Sequence, residues 1–140
     1  MIAFDFDGVF IPDFDKIPML GGIEEFYEMT QFIQPIFIPK GRWSILTGRI
    51  HHYLKYTKSY SDKYFSDNKP TTIYHDRGLH EKPHEYKDRI LQEYDAQILM
   101  YVESDPFTVE YIQSKVPNCS VYLFKEFISS ELASTFQNSL

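Results

Sequence analysis

The stretch Ile2-Ala3-Phe4-Asp5-Phe6-Asp7-Gly8-Val9 decides how this chain folds and where its polar chemistry lies. Residues Ile2–Phe6 are almost all apolar and predict a buried β-strand. Alternate side chains of a strand share a face, so Asp5 and Asp7 are expected to point the same way. Two carboxylates that close repel each other unless a cation or a proton sits between them. Gly8 then allows the backbone to turn sharply away from the strand.

The same Asp-x-Asp-Gly pattern also occurs in turns and in calcium-binding loops. A calcium loop needs several further oxygen ligands at fixed spacing, and the chain lacks the full set of Asp and Asn residues for one. An apolar strand also precedes the pattern here. We therefore interpret the paired carboxylates as a catalytic or metal site at a strand end.

Apolar runs and helical patterns alternate along the whole chain. The predicted strands are Ile2–Phe6, Trp43–Leu46, Thr71–Tyr74, Ile98–Val102 and Val121–Phe124. The predicted helices are Ile23–Phe32, His51–Tyr60, Pro83–Tyr94 and Pro106–Val116, followed by a weakly helical tail over Phe127–Leu140. This alternation predicts an α/β fold, a Rossmann-like three-layer α/β/α sandwich with a mostly parallel sheet. Because no repeat or linker interrupts it, we expect a single domain over residues 1–140.

Polar side chains follow two more of the predicted strands, where an α/β fold binds its ligands. The second strand is followed by Thr47-Gly48-Arg49, and a hydroxyl beside the N–H groups of a helix start suits a phosphate oxygen. The fourth strand is followed by Glu103-Ser104-Asp105-Pro106, which places two acids at a strand end. Asp105 also suits an ordinary helix cap before the proline. Between these two segments, Lys82 and Lys87 lie on either side of the predicted start of a helix.

In this order, an Asp-x-Asp-Gly strand, a Thr-Gly-Arg strand and a lysine before an acidic strand end resemble the haloacid dehalogenase superfamily of phosphohydrolases. The resemblance covers Ile2 to about Phe124. It implies a magnesium-dependent phosphatase of the small type, with Mg²⁺ as its cofactor. Asp5 is then the expected nucleophile that forms an aspartyl-phosphate, and Asp7 the expected general acid and base. Thr47 matches the hydroxyl that binds the transferring phosphoryl group.

The resemblance leaves the motif lysine open. Lys82 matches the Lys-Pro form of the motif, whereas Lys87 matches a form in which a short helix leads to the acidic strand end. We favour Lys87, because the run from Tyr86 to Asp105 resembles small members of that kind. The chosen lysine is expected to bind the phosphate together with Thr47 and Gly48.

The resemblance also leaves the magnesium ligands open. It implies that Asp5 and the backbone carbonyl of Asp7 bind the ion together with one later acid. The family often has an acid directly after the first acidic residue of the last motif, and here Ser104 stands in that place. Either Glu103 or Asp105 must therefore complete the site.

Composition limits the partners of the protein. A net charge of −6 and a pI near 5.3 argue against binding nucleic acid through a broad basic surface. The first residues lack the pattern of a signal peptide, and no stretch reaches the ~20 apolar residues of a membrane helix, so we expect a cytoplasmic protein. The segments between the motifs are too short for a separate cap domain. We expect a phosphorylated protein, a nucleic-acid end, or a small molecule under a lid from a partner such as a second copy of the chain.

Two other functions compete with the phosphatase. A binding or regulatory module could keep this fold without turnover, which Ser104 favours and the intact Asp5, Asp7 and Thr47 oppose. A receiver-like domain also forms an aspartyl-phosphate. It would carry that residue on a central strand without a second Asp at the first strand, so we rank it last.

Overall fold

A computed structural model of the chain describes residues 1–13, 22–130 and 137–139. The strands are β1 (Ile2–Phe4), β2 (Phe37–Pro39), β3 (Trp43–Leu46), β4 (Ile73–Tyr74), β5 (Met100–Glu103), β6 (Ser120–Leu123) and β7 (Gln137–Ser139). The helices are α1 (Ile23–Thr30), α2 (Leu54–Tyr64), α3 (Pro83–Glu93), α4 (Pro106–Gln113) and α5 (Phe124–Ile128), with a short 3-10 turn over His51–Tyr53 before α2. Five strands form a parallel sheet in the order β4-β3-β1-β5-β6, and β2 pairs antiparallel with β7.

The strand order places a crevice beside β1. The chain moves from β1 outward through β3 to β4, and then crosses to β5 and β6 on the other side. The direction of winding therefore reverses between β1 and β5. In open parallel sheets, ligands bind beyond the carboxyl ends of the strands at such a switch point. Asp5 directly follows β1, and Glu103 is the last residue of β5.

Two hydrophobic cores cover the two faces of the sheet. Ile2 and Phe4 of β1 pack into a core with residues of α1, α2 and α5, whereas Ala3 packs into a second core with residues of α3 and α4. The alternation follows from the two-residue period of a strand. Helices on both faces of a parallel sheet make the fold α/β and Rossmann-like, as the alternating sequence pattern predicts.

The loop after β1 is anchored from behind by aromatic packing. Phe6 and Phe10 have no exposed surface. The centroid of the Phe10 ring lies 5.0 Å from the ring centroids of both Phe37 and Phe65. The backbone N–H of Gly8 donates to the carbonyl of Ile11 at 2.7 Å, which closes the loop. Asp5 and Asp7 are therefore carried by a rigid support.

The predicted elements differ from the observed ones mainly at their ends. The strand Trp43–Leu46 is confirmed, and the first strand ends at Phe4 rather than Phe6, although the Asp5 N–H still donates to the Val102 carbonyl at 2.9 Å. Two short strands, β2 and β7, were not predicted.

The prediction of a helical tail over Phe127–Leu140 is only partly right. Helix α5 ends at Ile128, and the prediction is wrong at Gln137–Ser139, where the backbone pairs with β2. Residues 131–136 and 140 of that tail lie outside the described residues. None of the helices described here is long and apolar enough to cross a membrane.

Candidate active site

A cleft of about 240 Å³ opens at the carboxyl edge of the sheet, and we call it the carboxylate cleft. Most of the residues predicted for the site line it, namely Asp5, Asp7, Gly48, Lys87, Glu103 and Asp105. Thr47 and Lys82 are not among its lining residues. The described lining also includes Asp13 and Arg49, so five carboxyl groups face two cationic side chains. A phosphate would meet a strongly acidic surface here unless a cation accompanied it.

Asp5 is held in one orientation at the floor of the cleft. Its side chain is 4% exposed, and Oδ1 accepts a hydrogen bond from the backbone N–H of Phe6 at 2.8 Å. The same oxygen lies 3.2 Å from Nζ of Lys87, and Oδ2 accepts from the Ser104 hydroxyl at 2.9 Å. Burial and the nearby negative charge of Glu103 raise the pKa of Asp5 well above its ordinary value, against the opposing effect of Lys87. A cation beside Asp5 would favour its ionised form.

Lys87 and Glu103 form the buried ion pair beside Asp5. Lys87 projects from the buried face of α3, and its Nζ lies 2.6 Å from Oε1 of Glu103. The Tyr101 hydroxyl donates to the same oxygen at 2.7 Å. Burial acts to lower the pKa of Lys87, but Asp5 and Glu103 outweigh it and hold that pKa above the ordinary value. Burial acts to raise the pKa of Glu103, but Lys87 and hydrogen bonds from Asp5, Lys87 and Tyr101 hold it below the ordinary value.

Arg49 is a site residue to which the sequence assigned no role of its own. Its Nε and Nη2 donate to the two carboxylate oxygens of Asp7 at 2.9 and 2.7 Å. Its guanidinium is sandwiched between the rings of Phe6 and Tyr27, 4.5 and 3.9 Å from their centroids, and Nη1 donates to Thr57 at 3.1 Å. Such a planar, bidentate contact fixes the position of a carboxylate. The signal in the sequence was the arginine directly after Thr-Gly at a strand end.

Thr47 and Lys82 do not line the cleft, although their chain neighbours Gly48 and Pro83 do. Thr47 is fully buried, and its Oγ1 accepts a hydrogen bond from the backbone N–H of Arg49 at 3.2 Å. The hydroxyl thus shapes the turn after β3. Lys82 is exposed and is the N-cap residue of α3, so the structure brings Lys87 rather than Lys82 to Asp5.

Glu103 and Asp105 have different surroundings. Glu103 is 1% exposed and its Oε2 accepts from the backbone N–H of Asp105 at 2.9 Å. Asp105 is exposed and caps α4, because its Oδ2 accepts from the N–H of Thr108 at 3.2 Å and from the Thr108 hydroxyl at 2.8 Å. Only Glu103 directs a carboxylate toward the oxygens of Asp5.

Three acceptor oxygens surround the single hydroxyl of Ser104. They are Oδ2 of Asp5 at 2.9 Å, the carbonyl oxygen of Asp7 at 3.0 Å and Oε2 of Glu103 at 3.3 Å. A hydroxyl has one proton and can satisfy one of them at a time. Oε2 of Glu103 also accepts from the N–H of Asp105. A set of oxygen ligands around one point suits a hard cation such as Mg²⁺.

The residues present therefore fit a magnesium ion. No three His, Cys, Asp or Glu side chains in the described ranges are placed to hold a metal by themselves. Magnesium commonly takes one or two carboxylates and keeps several waters. Asp5, Glu103 and the carbonyl of Asp7 would supply that kind of incomplete protein shell.

The comparisons with known proteins add no relative. The chain matches no protein-family model, no curated protein and no solved structure. The resemblance to the haloacid dehalogenase superfamily rests on the motifs in the sequence.

Proposed function

We propose that this protein is a magnesium-dependent phosphatase of the haloacid dehalogenase type, with Asp5 as the nucleophile. The observation that carries the proposal is the buried cluster of Asp5, Lys87 and Glu103 at the switch point of the sheet. A carboxylate held next to an ammonium group in a cleft can attack an electrophile whose negative charge the ammonium offsets. Perturbed carboxyl groups in a cleft are typical of functional sites.

The proposed reaction has two halves. In the first, a carboxylate oxygen of Asp5 attacks phosphorus and the bond to the leaving oxygen breaks, while Lys87 lies beside the transferring phosphoryl oxygens. The leaving oxygen takes a proton from Asp7. In the second half, Asp7 takes a proton from water, the water oxygen attacks phosphorus, and the bond between Asp5 and phosphorus breaks to release inorganic phosphate.

Arg49 holds Asp7 in place through both oxygens of its carboxyl group, a contact made by the ionised carboxylate. To act as the acid, Asp7 must release one of these contacts and take up a proton before it protonates the leaving oxygen. The stacked rings on either side of Arg49 keep the guanidinium in place while Asp7 moves. Arg49 thus acts on the proton transfer by positioning Asp7.

Asp5, Glu103 and the carbonyl of Asp7 would hold the magnesium ion. When bound, the ion would offset the repulsion between these carboxylates and the phosphate and would favour the ionised form of Asp5. Lys87 is already paired with both carboxylates, so it supplies part of that charge by itself.

The test is the Asp5→Asn variant, assayed with and without magnesium on nucleotides, sugar phosphates, phosphopeptides and phosphorylated oligonucleotides. We expect turnover by the wild type with magnesium and none by the variant, because an amide is a poor nucleophile. Magnesium should raise the melting temperature of the wild type by mass action, and Asp5→Asn should remove most of that shift. Asp62→Asn is the matched control, since Asp62 is an exposed carboxylate on α2 paired with Lys69.

A binding module remains the second candidate, because Asp5, Lys87 and Glu103 satisfy one another without a ligand. Beryllium fluoride, which mimics an aspartyl-phosphate, separates the two. If no substrate is turned over but beryllium fluoride binds through Asp5, the protein senses phosphate without catalysis. If neither turnover nor binding is seen on folded protein, Asp5 is not a nucleophile.

A further inference from the structure

A second cavity adjoins the carboxylate cleft at the same edge of the sheet, and we call it the adjacent cavity. Its volume is about 410 Å³, larger than the 240 Å³ of the cleft. Asp13 and Ser104 line both the cleft and the adjacent cavity. Gly8 lines the adjacent cavity. A Cβ atom at Gly8 would lie only 2.5 Å from Oδ2 of Asp13 and 2.6 Å from Cβ of Ser104. These three residues therefore form a low, tightly packed ridge that separates the two spaces.

The chemistry of the adjacent cavity differs from that of the cleft. Its remaining described walls are mostly apolar, formed by Pro12, Pro106, Leu123 and Phe124, with Lys125 as the one charged side chain besides Asp13. Proline and phenylalanine offer flat apolar faces and no side-chain donors for hydroxyl groups. A polyhydroxylated body placed here would leave hydrogen bonds to water unreplaced, which is costly. An aromatic or aliphatic body would gain from leaving water.

We propose that the adjacent cavity holds the leaving group of the substrate, and that this leaving group is a compact aromatic or aliphatic body rather than a sugar. The inference rests on the proposed function, which puts the phosphate beside Asp5. Asp13 and Ser104 line both the carboxylate cleft and the adjacent cavity, so the two spaces lie side by side and a leaving group on a phosphate in the cleft can extend into the cavity. A volume of about 410 Å³ lies in the range of about 300–1,000 Å³ typical of small-molecule pockets.

This cavity changes what is expected of the substrate. The short segments between the motifs favour a phosphate on a large body, because they cannot build a cap. The adjacent cavity offers an apolar wall for a small substrate without a cap, built from the loop after β1, the start of α4 and the end of β6.

The experiment compares benzylphosphonate with methylphosphonate, which are not hydrolysed, by NMR titration of the labelled full chain with magnesium. We expect benzylphosphonate to bind about tenfold more tightly, because its ring leaves water in the cavity. Its ring should shift the amide signals of Leu123 and Phe124, which methylphosphonate should leave unchanged. Leu123→Asp should remove the difference in affinity, whereas Leu99→Asp, at an exposed leucine before β5, should keep it.

A second variant covers the case in which Leu123→Asp fails to fold. Pro106→Glu adds a carboxylate at the exposed first position of α4, where acids are tolerated. It should lower the ratio of the two affinities as well. Equal affinity of the wild type for both phosphonates overturns the leaving-group inference and leaves the phosphate site standing. If the amide signals of cavity residues shift and those of Asp5 and Lys87 do not, both the inference and the proposed function are overturned. The same holds if neither phosphonate binds.

Discussion

Lys87 sets the charge balance of the buried site. Lys87, Asp5 and Glu103 are each at most 5% exposed, and the ammonium group lies within 3.2 Å of a carboxylate oxygen of both acids. A buried charge that loses its partner is strongly unfavourable, even where the intact pair contributes little net stability. Lys82, five positions earlier, is exposed.

Lys87→Met should therefore lower the free energy of unfolding by about 3 kcal/mol at neutral pH, because it removes the cation that compensates the buried acids Asp5 and Glu103. It should also abolish phosphatase activity, whereas Lys82→Met should change stability by less than about 0.5 kcal/mol. Urea unfolding and the phosphatase assay measure the two effects. The double variant Lys87→Met/Glu103→Gln should recover part of the lost stability, since it removes one of the unpaired charges. Equal and small effects of the two lysine variants would contradict the assignment of Lys87.

Gly8 and Gly41 illustrate two different structural requirements for a glycine. Both have positive φ, +83° at Gly8 and +69° at Gly41. A Cβ at Gly8 would meet Ser104 at 2.6 Å, whereas a Cβ at Gly41 would have no atom of the described residues within 4 Å. Only the first position combines left-handed backbone with a close approach.

Gly41→Ala should cost about 1–2 kcal/mol in unfolding free energy, the strain of a left-handed residue alone. Gly8→Ala should cost about 1–3 kcal/mol more, because the new methyl group also collides with the ridge between the two cavities. Urea unfolding of the two variants side by side gives the comparison. Equal losses would mean that the loop after β1 can move away from Ser104 without penalty.

At the scale of elements, apolar runs made the central strands and the helices predictable. The strand Trp43–Leu46 and the helix that begins at Pro83 follow from continuous apolar sequence and from a proline at a helix start. The three-residue strands β2 and β7 were not predictable, because they pair over a long sequence separation and neither forms a long apolar run.

The same reasoning explains which site residues could be anticipated. Asp5 and the pair Glu103 and Asp105 follow or end predicted strands, so topology brings them to one edge, whereas Lys87 was preferred to Lys82 because of the family resemblance. The contact between Arg49 and Asp7 spans 42 positions and depends on the rotation of two side chains. The inward turn of the Thr47 hydroxyl likewise depends on the local path of the backbone after β3. Sequence patterns carry little information on either.

For the whole molecule, the site depends on both helical layers. Arg49 stacks on Phe6 and Tyr27 of the first core, while Lys87 comes from α3, which packs in the second core. Loss of either layer would separate Lys87 from Arg49, which contacts Asp7. Activity and global stability are therefore expected to be lost together on unfolding.

His75 is hydrogen-bonded to Thr57, the partner of Arg49, and its protonation affects the stability of the whole molecule. It is 3% exposed, and its Nε2 lies 2.9 Å from Oγ1 of Thr57, which also accepts from Arg49. Its Nδ1 has no hydrogen-bond partner among the residues that the structure describes. Burial lowers the pKa of His75 from 6.5 to about 4.

Between pH 6.5 and about 4 the unfolded chain therefore binds a proton at His75 that the folded chain does not. Stability should fall as the pH falls through this window, and His75 should account for about 3 kcal/mol of the loss at its lower end. His75→Gln removes this titration, so the stability gap between wild type and variant should narrow from pH 7 to pH 4.5, while groups shared by both proteins cancel. His80→Gln, at an exposed histidine, is the matched control variant. Urea unfolding at several pH values measures these gaps, and a constant gap for His75→Gln would show that the folded protein accepts a proton at His75 as readily as the unfolded chain does.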